Sequence, residues 1–236
     1  MWPAARYGSA SSPLARRIER TRALIAAAAA RAGRPPPELL AVVKLVPDEV
    51  VAELFDLGVR EVAENRVQRL VARPPALLER GRFHLIGSLQ TNKARKAVET
   101  AAEFHALDRF DLIEVLQRET ARIERRWPVW IEVNLAREPQ KHGVDPDDLP
   151  ALACGVAAAP ELELRGLMTI APIADDPELA RPHFRELARW SASLRAEGIL
   201  PPAASGLSMG MSNDYEVAIE EGATIVRIGS ALFHDE

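Results

Sequence analysis

Lys44 is the residue whose type and setting point most directly to chemistry. It lies in Leu39-Leu-Ala-Val-Val-Lys-Leu-Val46, a run with no other charge. Burying an ammonium there without a partner is expensive. Either the side chain reaches water from the end of its strand, or the amine is held neutral and used. A dry setting lowers a lysine pKa and leaves the free amine that condenses with an aldehyde to a Schiff base. Of the 30 Lys and Arg residues only four are lysines, Lys44, Lys93, Lys96 and Lys141. Arginine cannot replace lysine where a deprotonatable amine is needed, although codon bias also explains such a ratio.

Two further segments have the composition of an anion cradle. Ser208-Met-Gly-Met-Ser212 leads into a helix that Ser212 or Asn213 would cap, and Val226-Arg-Ile-Gly-Ser230 follows it. Small residues let backbone N–H groups approach a ligand, and a helix start favours negative charge. Most such turns are only turns. Two on adjacent strands, with a lysine on the next strand round a closed barrel, describe a phosphate pocket beside a Schiff-base lysine.

The elements that would place them alternate along the chain. A helix over residues 12–32 ends at Gly33 and the Pro35-Pro36-Pro37 run. Strands are expected at 39–45, 59–65, 82–87, 104–107, 128–134, 162–170, 206–210 and 224–229, with helices between them. Eight short apolar strands separated by helices predict a parallel sheet covered on both faces. The fold class is therefore α/β, a single-domain (β/α)8 TIM barrel over residues 1–236. The N-terminal helix completes the outer ring, residues 1–12 are flexible, and the site lies at the strand C-terminal ends. Residues there include Lys44, Asn65, Gly87, Asp108, Asn134, Thr169, Ser208 and Arg227 to Ser230.

Composition narrows the partners. Hydrophobic residues make up 47% and charged residues 27%, and the net charge is −4, so no basic field recommends nucleic acid. No span suits a membrane, no Cys/His cluster has metal-ligand spacing, and the N-terminus lacks a leader-like apolar stretch. A cytoplasmic location is expected. The single cysteine, Cys154, reads as a buried helical thiol.

The segments Leu39–Lys44, Glu64-Asn-Arg-Val-Gln68, Phe83–Gly87, Leu89–Lys93, Glu132-Val-Asn134, Lys141–Val144, Arg165–Met168, Leu207–Ser212 and Val226–Ala231, in this order, resemble the pyridoxal-phosphate homeostasis proteins, the YggS/PROSC family. The resemblance covers nearly the whole chain. It implies a barrel like the N-terminal domain of alanine racemase, with pyridoxal 5′-phosphate (PLP) held covalently on Lys44. It implies that Ser208, Gly229 and Ser230 hold the phosphate and that Arg227 faces the pyridine nitrogen. Asn65, Met168 and Met209 would surround the ring or pocket rim. The chain departs from the family pattern at Val43, where Ser or Thr is usual, and at Val46, where a second lysine is usual. Arg66 replaces a tyrosine, His234 replaces a glycine, and the basic tail is missing. Without the second lysine, Lys93 gains interest.

Three functions follow. The first is a PLP carrier in intracellular homeostasis with little or no turnover. Its partners would be PLP, free amino acids and PLP-dependent apo-enzymes, with no nucleic acid or membrane, as a monomer or weak homodimer. The second is a slow racemase-like PLP enzyme, which needs an acid/base on each face of the substrate; Tyr7 and Tyr215 are the sole tyrosines, and neither lies in a matching motif. The third is non-covalent binding of another phosphorylated metabolite.

Overall fold

The computed structural model describes residues 12–138 and 140–234. Its strands are β1 (Glu38–Val42), β2 (Glu61–Glu64), β3 (Arg82–Leu85), β4 (Glu103–Leu107), β5 (Trp127–Glu132), β6 (Leu162–Met168), β7 (Gly206–Ser208) and β8 (Ile225–Ile228). They close in sequence order into one parallel barrel, with Leu40 of β1 in register with Arg227 of β8. Strands shielded on both faces read as apolar runs, and the last four residues of β1 are all buried.

The outer layer holds α1 (Pro13–Arg31), α2 (Asp48–Asp56), α3 (Val67–Ala72), α4 (Pro75–Leu78), α5 (Ala94–Thr100), α6 (Phe110–Arg122), α7 (Leu149–Ala157), α8 (Arg181–Ala196), α9 (Tyr215–Glu220) and α10 (Ser230–Phe233). Helix α1 begins at Ser12, whose hydroxyl accepts from the Ala15 N–H, with Pro13 pre-set at the first helical position. The helix packs on α9 and α10 and so fills the outer position after β8. Arg31 pairs there with Glu216 and Glu220, and Arg17 Nε donates to the Leu232 carbonyl.

Two local expectations are corrected, and a third falls almost wholly outside the described residues. Residues 1–11, including Trp2 and Tyr7, lie outside the described residues, and Ser12 caps α1. Cys154 faces outward from α7 and is exposed. Neither Ser212 nor Asn213 caps α9. Asp214 precedes that helix and accepts from the Met211 N–H, while the Asn213 amide donates to the Ala174 carbonyl. No described helix is long and apolar enough to cross a membrane.

Candidate functional site

Lys44 stands just past the end of β1, within a turn closed by the Val46 N–H donating to the Val43 carbonyl. Its neighbour Leu45 adopts φ 67° and is 73% exposed. A left-handed leucine is strained, so something must hold the turn. Arg73 does so. Its guanidinium donates to the carbonyls of Val43 and Val46 at 2.9 Å each, on either side of Lys44, and to Asp48. Glu64, fully buried at the end of β2, anchors Arg73 at 2.6 Å. Lys44 itself is exposed at the barrel mouth rather than desolvated. Of the two alternatives for this lysine, the structure shows the one that reaches water from the end of its strand.

On β8, beside β1, Arg227 is 3% exposed. It donates to Ser208 Oγ at 2.9 Å and to the Thr169 carbonyl at 2.8 Å. No carboxylate among the described residues reaches it within ion-pair distance. Burial pulls its pKa down to about 10, against the opposing fields of Glu132 and Asp214. A buried guanidinium in this state seeks an acceptor. Glu132, at the end of β5, is 5% exposed, and burial, then Asp108, raise its pKa to about 7, with Arg227 opposing.

The Gly229–Ser230 turn opens onto the same mouth. Ser212 Oγ accepts from the N–H groups of Gly229 and Ala231, at 3.2 and 3.3 Å. One oxygen thus already sits where two backbone donors converge, as an anion's oxygen would. The preceding Gly210 has φ 89°, which favours glycine and turns the chain from Ser208 towards Ser212. Ser208 contacts a different set of groups. Its hydroxyl is wholly buried behind Arg227, between that guanidinium and His105 Nδ1 at 3.1 Å, not at the Gly229 turn.

Met168 and Met209 are fully buried in the core rather than on a rim. Asn65 is half-buried directly after β2, and its carbonyl passes so close to Gly87 that a Cβ there would lie 2.1 Å away. Lys141 is tied to Glu138 at 2.6 Å. Lys93 lines a groove of 620 Å³ with Arg66, Arg69, Ser88, Gln90 and His142, beside the mouth and without a carboxylate in its lining. His84, Glu103 and His105 form a buried group with metal-ligand composition. Their facing atoms already hydrogen bond: His84 Nδ1 to His105 Nε2, and Glu103 Oε2 to the Trp130 indole. Sequence reading assigned no role to Arg73, Glu132 or His105, and took Ser212 only as a helix cap. A basic residue in a segment expected to be solvated helix, and charged or imidazole residues inside apolar strands, were the available signals.

The closed parallel barrel, with Arg227 on β8, the Gly229 turn after it and Lys44 after β1, is that of the alanine racemase N-terminal-domain class. The family model described as alanine racemase, N-terminal domain, matches residues 18–236. Within that class the chain belongs to the pyridoxal phosphate homeostasis protein family. It is 41% identical to that protein of Aquifex aeolicus (strain VF5), over 92% of this chain and 96% of the relative. It is 38% identical to that of Escherichia coli (strain K12), over 93% and 95%. Among solved structures, PipY of Synechococcus elongatus PCC7942 with PLP bound superposes with a TM-score of 0.82 at 34% identity, covering 94% of this chain and all of PipY. Alanine racemase from Corynebacterium glutamicum shares the fold, with a TM-score of 0.71 at 18% identity, covering 94% of this chain and 62% of the racemase.

Proposed function

We propose that this protein holds PLP as a Schiff base on Lys44 and serves intracellular PLP homeostasis as a carrier with little or no turnover. The observation that carries the reading is Arg227, a buried guanidinium on β8 with no carboxylate within ion-pair distance among the described residues. A pyridine nitrogen would give it a further neutral acceptor beside Ser208 Oγ and the Thr169 carbonyl. Ser212, Gly229 and the Ser230–Ala231 amides suit a phosphate, with Ser208 as the support behind Arg227. Asn65 borders the mouth, and Met168 and Met209 back it from the core. PipY, 34% identical, is described with PLP bound.

When bound, PLP supplies an aldehyde for the lysine amine and an electron-withdrawing ring. The chain's own contribution is to present Lys44 on a clamped turn, to order Arg227, and to keep the mouth open to arriving amines. Free amino acids and PLP-dependent apo-enzymes are the partners this arrangement suits, in the cytoplasm, with the protein a monomer or weak homodimer. The racemase reading is disfavoured because Tyr215 is buried on α9 and His84 lies inside the barrel. Neither offers a base at the mouth.

Titration of the ligand-free protein with PLP, followed by absorption, tests the reading. A new imine band that bleaches with borohydride is expected, and none for pyridoxine phosphate, which lacks the aldehyde. Equal, colourless binding of both would favour a non-covalent phosphate-binding barrel.

A further inference from the structure

From Ser208 a file of buried side chains runs through the barrel interior to its closed end. Ser208 Oγ lies 3.1 Å from His105 Nδ1 on β4. His105 Nε2 lies 2.9 Å from His84 Nδ1 on β3. His84 Nε2 lies 2.6 Å from Glu61 Oε2, on the first residue of β2. Ser208 and both histidines are at most 1% exposed.

Donor and acceptor chemistry at the two ends fixes the order of protons between them. An ionised carboxylate only accepts, so His84 Nε2 carries a proton and its Nδ1 accepts. A guanidinium only donates, so Ser208 Oγ accepts from Arg227 and must place its own proton on a neighbour. His105 Nδ1 is that neighbour, which leaves His105 protonated on Nε2 and donating to His84. Every donor then meets an acceptor with both imidazoles neutral. Burial, then His84 and Arg227, hold His105 well below the usual histidine pKa.

The flanking groups fit this order. Trp130 stacks on His105 with centroids 5.0 Å apart and donates to Glu103 Oε2 at 2.9 Å. Glu103 Oε2 lies 3.8 Å from His105 Nε2 and 4.0 Å from His84 Nδ1, and Arg82 pairs with both Glu61 and Glu103.

We propose that His105, His84 and Glu61 are positioning residues for Arg227, forming a one-way hydrogen-bond file by which the carboxylate at the closed end orients the guanidinium at the binding end. Its consequence for PLP rests on the proposed function; the file itself is testable without ligand.

The test is 15N NMR of the ligand-free protein, labelled at histidine and arginine. Both imidazoles are expected to carry one proton, on Nε2, and Arg227 to show resolved, slowly exchanging Nη–H signals. In Glu61→Gln, whose amide donates as well as accepts, Nδ1-protonated His105 should appear and the Arg227 signals should broaden. The PLP dissociation constant should rise about three- to tenfold, the loss of one ordinary hydrogen bond. If Glu61→Gln does not fold, Ser208→Ala reads the file from the other end: His105 should stay protonated on Nε2 while the Arg227 signals broaden. His105 protonated on Nδ1 or on both nitrogens in the unaltered protein overturns the proposal. So do Arg227 signals indifferent to either substitution. A protein that shows this order yet forms no imine with PLP supports the file and refutes the carrier reading.

Discussion

Arg227 donates to the Ser208 hydroxyl at 2.9 Å, and both side chains are buried. This contact makes Ser208 part of the support for the guanidinium rather than part of the Gly229 turn. Ser208→Ala should therefore weaken PLP and unphosphorylated pyridoxal by similar factors. Ser212→Ala should behave differently, because its oxygen meets the Gly229 and Ala231 amides. A hydrogen bond to a charged group is worth roughly 1.5–3 kcal/mol. PLP affinity should fall about ten- to a hundredfold in Ser212→Ala, with pyridoxal nearly unchanged. Equilibrium titration of both ligands against both variants checks this; a phosphate-selective loss in Ser208→Ala alone would return Ser208 to the anion site.

The Lys44 turn stores strain that Arg73 restrains. Leu45→Gly should raise the stability of the ligand-free protein by roughly 1 kcal/mol, since the left-handed backbone costs a leucine about that much and its exposed side chain packs little. Arg73→Met should leave Glu64 buried without its cation and lower stability by about 3 kcal/mol or more. Urea unfolding measures both. A destabilised Leu45→Gly would show that the leucine makes contacts which outweigh the strain.

Glu132 sets a pH dependence of folding. Its folded pKa, about 7, is raised above the ordinary 4.5, chiefly by burial. The folded state therefore binds more protons than the unfolded state between these values, and stability falls as pH rises through that window. The full shift corresponds to roughly 3 kcal/mol. Glu132→Gln should remove this loss and gain most over the original protein above pH 7, with little difference near pH 4. Unfolding curves at both pH values decide it; equal stability differences at the two would mean that Glu132 ionises freely.

The PLP-loaded protein should not racemise amino acids. Racemisation needs an acid/base within hydrogen-bonding reach on each face of the substrate, and His84 is spent on His105 and Glu61 inside the barrel. Incubation with L-alanine in deuterated water should shift the absorption spectrum without measurable α-deuterium incorporation. Exchange at ordinary enzyme rates, about 1–1,000 per second, would favour the racemase-like reading.

Much of this architecture was legible in the sequence because parallel strands shielded on both faces must be apolar, and the eight runs from Leu39 to Ile228 show it. The placement of Lys44, Arg227 and Gly229 at one end followed from strand order alone. What was not legible depended on direction and partners. Spacing does not tell which way Ser208 points, so its burial behind Arg227 needed coordinates. The clamp of Arg73 on the Lys44 turn joins residues on separate elements and leaves no local pattern. His105 looked like a strand residue of no particular meaning, and His84 like a candidate base at the mouth, until the barrel closed and brought them within 2.9 Å. Cys154 was misread because an Ala-rich helix gives little amphipathic signal to assign its faces.

Borohydride reduction of the PLP-loaded protein, followed by proteolysis and mass mapping, tests the central claim most directly. A single phosphopyridoxyl label on the peptide containing Lys44 is predicted, absent in Lys44→Ala although that variant keeps its fold. A label on Lys93 or Lys141, or no label from a protein that still binds PLP, would contradict the assignment of Lys44 as the residue that holds the cofactor.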